Sequence, residues 1–334
     1  ENSWIFGIMS AVDTAKIRII YSTLQIILGV SWNLDVDFPS PFSHMSSVLS
    51  SLVSLEIIPF QCVLGGSQAT LASVVALSAV PFALAGVIFA VFLLRCAVAR
   101  KQGRSCKIMI RQIVSQLLIL SYVVLPPVAR RQYQALDCIS IDGKRYLRSD
   151  TSIRCEGSEY NKFVVFDAML IAAFLSLPCI WLSLLWRQRK YLGDSSTLKG
   201  KAARNQTDSL VEQNFDLEKI QFLWEPYRNS WYFFEPFDML RRIVMTCVVP
   251  LISPKSSRRA AFGLLLALLS SIFIREAEPY ANTSNNILAY AAHYSIAVTF
   301  GAALIITTDV SKNLNPAVLG VILVAVTFVV PVMV

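Results

Sequence analysis

The sequence predicts an all-α integral membrane protein: a bundle of seven to eight transmembrane helices with short loops, one disulfide-bearing outer loop and one polar cytoplasmic linker. Three observations predict it. Apolar residues make up 55% of the chain and charged residues only 16%, with a mean hydropathy of +0.55; a soluble surface normally draws on about 25% charged residues. The apolar residues come in runs close to the ~20 residues that a helix needs to cross a bilayer. The basic residues cluster in the segments between the runs, where membrane topology places them.

Taken in order, Ile17–Trp32 is the weakest run, a short crossing or an interfacial helix. Gln68–Leu94, Phe163–Trp186, Asn286–Thr308 and Pro316–Val334 are full-length spans, and Ile110–Val128 is a fifth, ending at Pro126–Pro127. Phe237–Ile252 and Ala260–Ile274 are shorter and are joined by a tight turn over Ser253–Arg259. The chain thus falls into four parts: 1–67, a first short span and outer segment; 68–186, three helices with an outer cysteine loop at 130–162; 187–234, a cytoplasmic linker and aromatic pre-helix; and 235–334, four C-terminal helices. It begins at Glu1 without Met and ends inside the apolar run Val321–Val334, which reads as an excerpt of a longer polypeptide.

Arg95–Arg111 carries six basic residues and no acid, and Arg187, Arg189 and Lys190 follow another run, so 95–111 and 187–234 are expected in the cytoplasm. Lys16 and Arg18 precede the first run on that same face. Loop 130–162 is expected outside, although it holds seven basic residues. Cys138 and Cys155 lie in that loop and form the preferred disulfide, with Cys62 as a rival partner for either. Cys96, Cys106, Cys179 and Cys247 read as small buried or free thiols. The sequons at Asn205 and Asn282 fall on the cytoplasmic side and are expected to stay unmodified.

Several strings run through the whole chain in a fixed order: Lys16-Ile-Arg-Ile-Ile-Tyr-Ser-Thr-Leu-Gln-Ile, Phe38-Pro-Ser-Pro-Phe, Tyr146-Leu-Arg-Ser-Asp-Thr-Ser-Ile-Arg-Cys155, Phe222-Leu-Trp-Glu-Pro-Tyr227, Trp231-Tyr-Phe-Phe-Glu-Pro-Phe-Asp-Met-Leu-Arg-Arg242 and Glu278-Pro-Tyr280. Strings and order resemble a family of TRP-like multispan proteins, common in protists and algae. The resemblance implies a bundle distantly related to TRP and polycystin channels, in a plasma, ciliary or other surface membrane. Such channels place a re-entrant pore helix and filter between their last two helices. Here only the seven residues Asp309–Asn315 are available, too few for that purpose. Two functional expectations result: a TRP-like ion channel or channel-related transport subunit, or a non-conducting anchor that assembles a larger complex.

Candidate ion-path or coupling residues are those whose charge sits in or beside a span. Asp167 lies about one turn into its run; it is either a cation contact or one half of a local ion pair with Lys162 or a loop arginine. His293, two turns into its run, is either a proton or ligand site or a core histidine bonded to a neighbouring helix. Asp238 is three residues before Arg241 and four before Arg242, so the pairs share a helix face behind Glu235; they form a coupling hinge or a set of snorkelling anchors. Arg275 pairs with Glu235 or Asp238, or ends its helix in solvent. Prolines 81, 126, 178, 250 and 331 permit kinks.

The cysteines and the two histidines, His44 and His293, lack metal-site spacing, and no phosphate loop, His-Glu-x-x-His or triad is present. No enzyme activity, cofactor, metal or nucleic-acid partner is therefore expected. The expected partners are the lipid bilayer and other protein subunits or further copies of the chain.

Overall fold

The computed structural model describes residues 13–53, 69–102, 106–192, 215–308, 310 and 315–332. Cys62, the sequon at Asn205, most of the polar linker and most of the Asp309–Asn315 connection lie outside the described residues. The chain divides into two compact units, Glu1–Ile58 with Arg241–Val334, and Pro59–Leu240. The opening segment, read from the sequence as a part by itself, packs with the C-terminal helices.

In the first unit, α1 (Thr14–Leu34) starts where the Asp13 carboxylate accepts from the Ala15 N–H at 3.0 Å, and stops at Asp35 in the left-handed region. α2 (Phe42–Val53) follows a cis Ser40–Pro41 bond. Other helices of this unit are α7 (Ser256–Ala277), α8 (Thr283–Thr307) and α9 (Pro316–Val332). Asn282, the second sequon residue, caps α8 by accepting from the Ser284 N–H at 3.0 Å. Asn286 then holds the loop before it, donating to the Tyr280 carbonyl and accepting from the Tyr280 N–H, each at 2.9 Å.

The core of this unit joins Ile26, Val30 and Leu34 of α1 to Ala267 of α7, Phe300 of α8 and Leu323 of α9. Small residues let α7 and α8 approach closely. Gly263 faces the buried Phe300 ring so tightly that a Cβ there would overlap it. Gly320 of α9 lies against the Ser40 carbonyl in the same way.

In the second unit, α3 (Ala69–Lys101), α4 (Lys107–Gln134) and α5 (Ser158–Leu192) are long helices. At 1.5 Å per residue the 33 and 35 residues of α3 and α5 extend about 50 Å, well beyond the ~30 Å of bilayer hydrocarbon. Between α4 and α5 the chain is not a plain loop. β1 (Cys138–Ile141), β2 (Lys144–Leu147) and β3 (Asp150–Arg154) form an antiparallel sheet in that order, which corrects the all-α expectation. Asp142 and Gly143, at φ 50° and 76°, make the two-residue turn that pairs Ile141 with Lys144. Cys138 and Cys155 stand at disulfide distance, with Cα atoms 6.4 Å apart. Leu147, Ile153 and Tyr160 pack beside them. Cys96, Cys106, Cys179 and Cys247 are not in disulfides, and Cys179 is exposed.

Residues 215–219 and the helical turn Gln221–Trp224 pack against α4 and α5. Phe222 meets Tyr122 edge-on at 5.5 Å, and Glu218 pairs with Arg111. The following α6 (Phe234–Ile243) carries the chain from the second unit into the first.

Among the described residues, six helices are long and apolar enough to cross a membrane: α1, α3, α4, α5, α7 and α8. One expected span departs from a regular α-helix. Phe237–Ile252 is not an α-helix throughout: α6 gives way to a π-helix, Val244–Val248, and then to a 3-10 turn, Val249–Leu251. Pro250 supplies no N–H there, so the regular bond ladder cannot run through. α9 is apolar over its 17 described residues. The weakest run, Ile17–Trp32, lies inside the regular 21-residue α1.

Candidate functional site

The buried polar residues of α3, α4 and α5 lie toward the sheet end of these helices. On α3, α4 and α5 the inward residues include Ser78, Gln132 and Asp167, at 2%, 0% and 0% exposure. Gln132 Nε2 donates to Ser78 Oγ at 3.1 Å. Among the described residues, neither Asp167 oxygen has a hydrogen-bond or ion-pair partner, and neither does Gln132 Oε1. The local ion pair with Lys162 that the sequence offered is absent; Lys162 is exposed while Asp167 points inward. The reason is helix phase. Asp167 shares the buried stripe of α5 with Phe174, Pro178, Trp181 and Leu185, at intervals of seven, four, three and four residues.

Toward the other end of these helices the interior turns apolar. Phe82, Leu118, Leu125, Phe174 and Trp181 line a cavity of about 320 Å³, and Ser121 is its one polar lining residue. The Ser121 hydroxyl is turned back to the Leu118 carbonyl at 2.8 Å. At the sheet end, Arg148 Nε pairs with Asp137 Oδ2 at 3.0 Å, and the Tyr160 hydroxyl donates to the Ala135 carbonyl at 2.9 Å.

Glu235, in the first turn of α6, is buried and accepts from the Tyr227 hydroxyl at 2.7 Å. A carboxylate there also suits the positive end of the helix. Asp238 is buried on the same helix. The unit boundary falls between Leu240 and Arg241. The sequence grouping Glu235, Asp238, Arg241 and Arg242 is thus one short helix shared between two units.

In the first unit, Arg241 is half-buried with Nη1 3.6 Å from Met245 Sδ, and Arg242 is buried at 1% exposure. The Arg242 carbonyl accepts from the Thr246 hydroxyl at 2.7 Å, where the helix widens. His293 is buried and its Nδ1 donates to the Ala289 carbonyl of its own helix at 2.7 Å, not to a neighbouring helix. Arg275 is exposed, with its guanidinium 5.9 Å from the centre of the Tyr290 ring.

Sequence reasoning missed two residues. Arg259 stands in what reads as a charged turn, yet it is 1% exposed. It donates from Nη1 to the Asn33 carbonyl and from Nη2 to the Ser256 hydroxyl, each at 3.1 Å. Gln132 follows two arginines near the end of an apolar run and reads as an interfacial residue; its three-residue spacing from the buried Ala129 was the available signal.

Chemically, Asp167 and Gln132 offer three buried oxygen acceptors that meet no donor among the described residues. Among the described residues no cluster of three or more His, Cys, Asp or Glu could hold a metal ion. In comparisons with known proteins, no family model, no curated protein and no solved structure matches the chain.

Proposed function

We propose that the chain is an integral membrane protein that moves ions across the bilayer, a TRP-like channel or a channel-related transport subunit. One observation carries this reading: the distribution of polarity is inverted. Large apolar side chains such as Val165, Met169, Leu269 and Ile272 are at least half exposed, while Asp167 in one unit and Arg242 and Arg259 in the other are buried to 1% or less. In water such a molecule would expose its grease and desolvate its charges at a cost of several kcal/mol per ion. In lipid the outward residues are solvated, and inward ionisable groups mark ion pathways or relays. The string order that resembles TRP-like proteins points the same way. The sheet with Cys138 and Cys155 would face outward, and segments 95–111 and 187–234 inward.

The test is ion flux in liposomes reconstituted with the full chain. The reading expects sodium or potassium uptake above protein-free liposomes, reduced by substitutions at Arg242 or His293. Liposomes that hold folded protein and carry no flux would contradict it.

A second reading, a non-conducting anchor for a larger assembly, has its own support. In the 18-residue apolar stretch of each helix, only 11% of α3 and 17% of α5 is buried, against 67% of α1. Helices so bare suit packing against other subunits as well as lipid. Cross-linking from exposed Leu94 or Trp186 to a partner, with no flux, would favour the anchor.

A further inference from the structure

We infer that Asp167 and Gln132 form a desolvated site for one monovalent metal cation at the sheet end of the second unit. The inference rests on reading α3, α4 and α5 as membrane spans, and its test does not depend on transport.

Both side chains are at 0% exposure, and among the described residues three of their oxygens, Asp167 Oδ1 and Oδ2 and Gln132 Oε1, meet no donor. The amide nitrogen of Gln132 is committed to Ser78 Oγ, so the free end of that side chain is its oxygen. Two rulers bracket the depth of these atoms along the helices. The rings of Phe82 and Phe174 stand 5.5 Å apart. Toward the sheet from them, Ser78 is four residues up α3, about 6 Å, and Asp167 seven residues up α5, about 10 Å. From the other end, Tyr160 bonds to Ala135. Gln132 lies three residues below Ala135, about 5 Å, and Asp167 seven below Tyr160, about 10 Å. The two estimates bracket Asp167 within about 6 Å, along the helices, of the Ser78–Gln132 bond.

Buried oxygens that meet no donor favour a positive partner. One carboxylate balances one unit of positive charge, which leaves the site neutral in a low dielectric. A divalent ion would leave an uncompensated charge there and would seek six or more oxygens, several of them carboxylate. The site has one carboxylate and the described residues hold no acidic cluster. The apolar cavity lined by Phe174 and Trp181 confines the ion to the sheet end.

The test is equilibrium binding of radioactive sodium and rubidium to the detergent-purified full chain. One saturable ion per chain is expected, displaced by sodium, potassium or lithium salts and not by choline or calcium at equal ionic strength. Asp167→Asn should abolish binding, Gln132→Leu should weaken it by about tenfold or more, and Asp167→Glu should retain it in part. Size-exclusion profile and closure of the Cys138–Cys155 pair check folding; if Asp167→Asn does not fold, the other two variants decide. No saturable binding by the native chain overturns the site, as does native-like binding by a folded Asp167→Asn or Gln132→Leu. An infrared carboxyl band of Asp167 that responds to pH and not to cation also overturns it. Binding without flux would leave the site standing and remove the transport reading; flux that survives Asp167→Asn while binding is lost would keep transport and show that the bound ion is not the carried one.

Discussion

Arg259 donates from Nη1 to the main-chain oxygen of Asn33 at 3.1 Å, a contact between residues 226 apart in sequence. The acceptor lies in the last turn of α1, whose carbonyls have no intrahelical partner. A cation at a helix C-terminus also opposes the local dipole. Arg259→Met should strand that carbonyl and destabilise the first unit by about 1–3 kcal/mol. Thermal denaturation in detergent reads this as a lower midpoint. Arg259→Lys, which keeps charge and a donor, should lose less.

The close approach of α7 and α8 predicts a steric hierarchy. Gly263→Ala should be tolerated poorly, because the buried Phe300 ring must move. Gly320→Ala should be worse, since what it meets is the Ser40 backbone and not a side chain. Overpacking of this kind costs roughly 1–3 kcal/mol. Gly86 has nothing within 4 Å of a built Cβ, so Gly86→Ala should leave the melting midpoint unchanged or raised.

The Cys138–Cys155 pair closes a segment with a sequence separation of 17. In the chain-entropy account such a bond stabilises by about 3 kcal/mol. Replacing both cysteines by serine should lower the midpoint by that amount. Reductant should slow the native chain on a gel and leave the double variant unchanged.

The hairpin tip gives a test of orientation. Asp142 and Gly143 are at an exposed two-residue turn. Asp142→Asn with Lys144→Thr creates a glycosylation acceptor there. In eukaryotic cells that variant should gain one glycan, removable by endoglycosidase, while Asn205 and Asn282 stay bare. A glycan on either native site would place the faces the other way round.

Much of this architecture was legible in the sequence because long apolar helices announce themselves by length and hydropathy. The runs that became α3, α4, α5, α7 and α8 were read to within seven residues at every end, and each helix extends beyond its run at one or both ends. The ends were less legible, since polar residues such as Lys190 and Gln134 continue a helix past the greasy part. The sheet carried a signal that went unused: Ile139 and Ile141 alternate with polar residues before Asp142-Gly143, a hairpin pattern. The break in Phe237–Ile252 was marked by Pro250, but a proline does not say whether a helix bends or stops. Burial of Arg259 and the isolation of Asp167 depend on helix phase and tertiary packing, which a linear pattern does not contain.

Everything rests on hydrocarbon being the solvent for the outward faces of these helices. The most direct measurement is the fate of the expressed full chain after an alkaline wash of cell membranes. The account expects it to stay in the membrane pellet and to leave only with detergent. Recovery in the wash as a monodisperse monomer without detergent would contradict it.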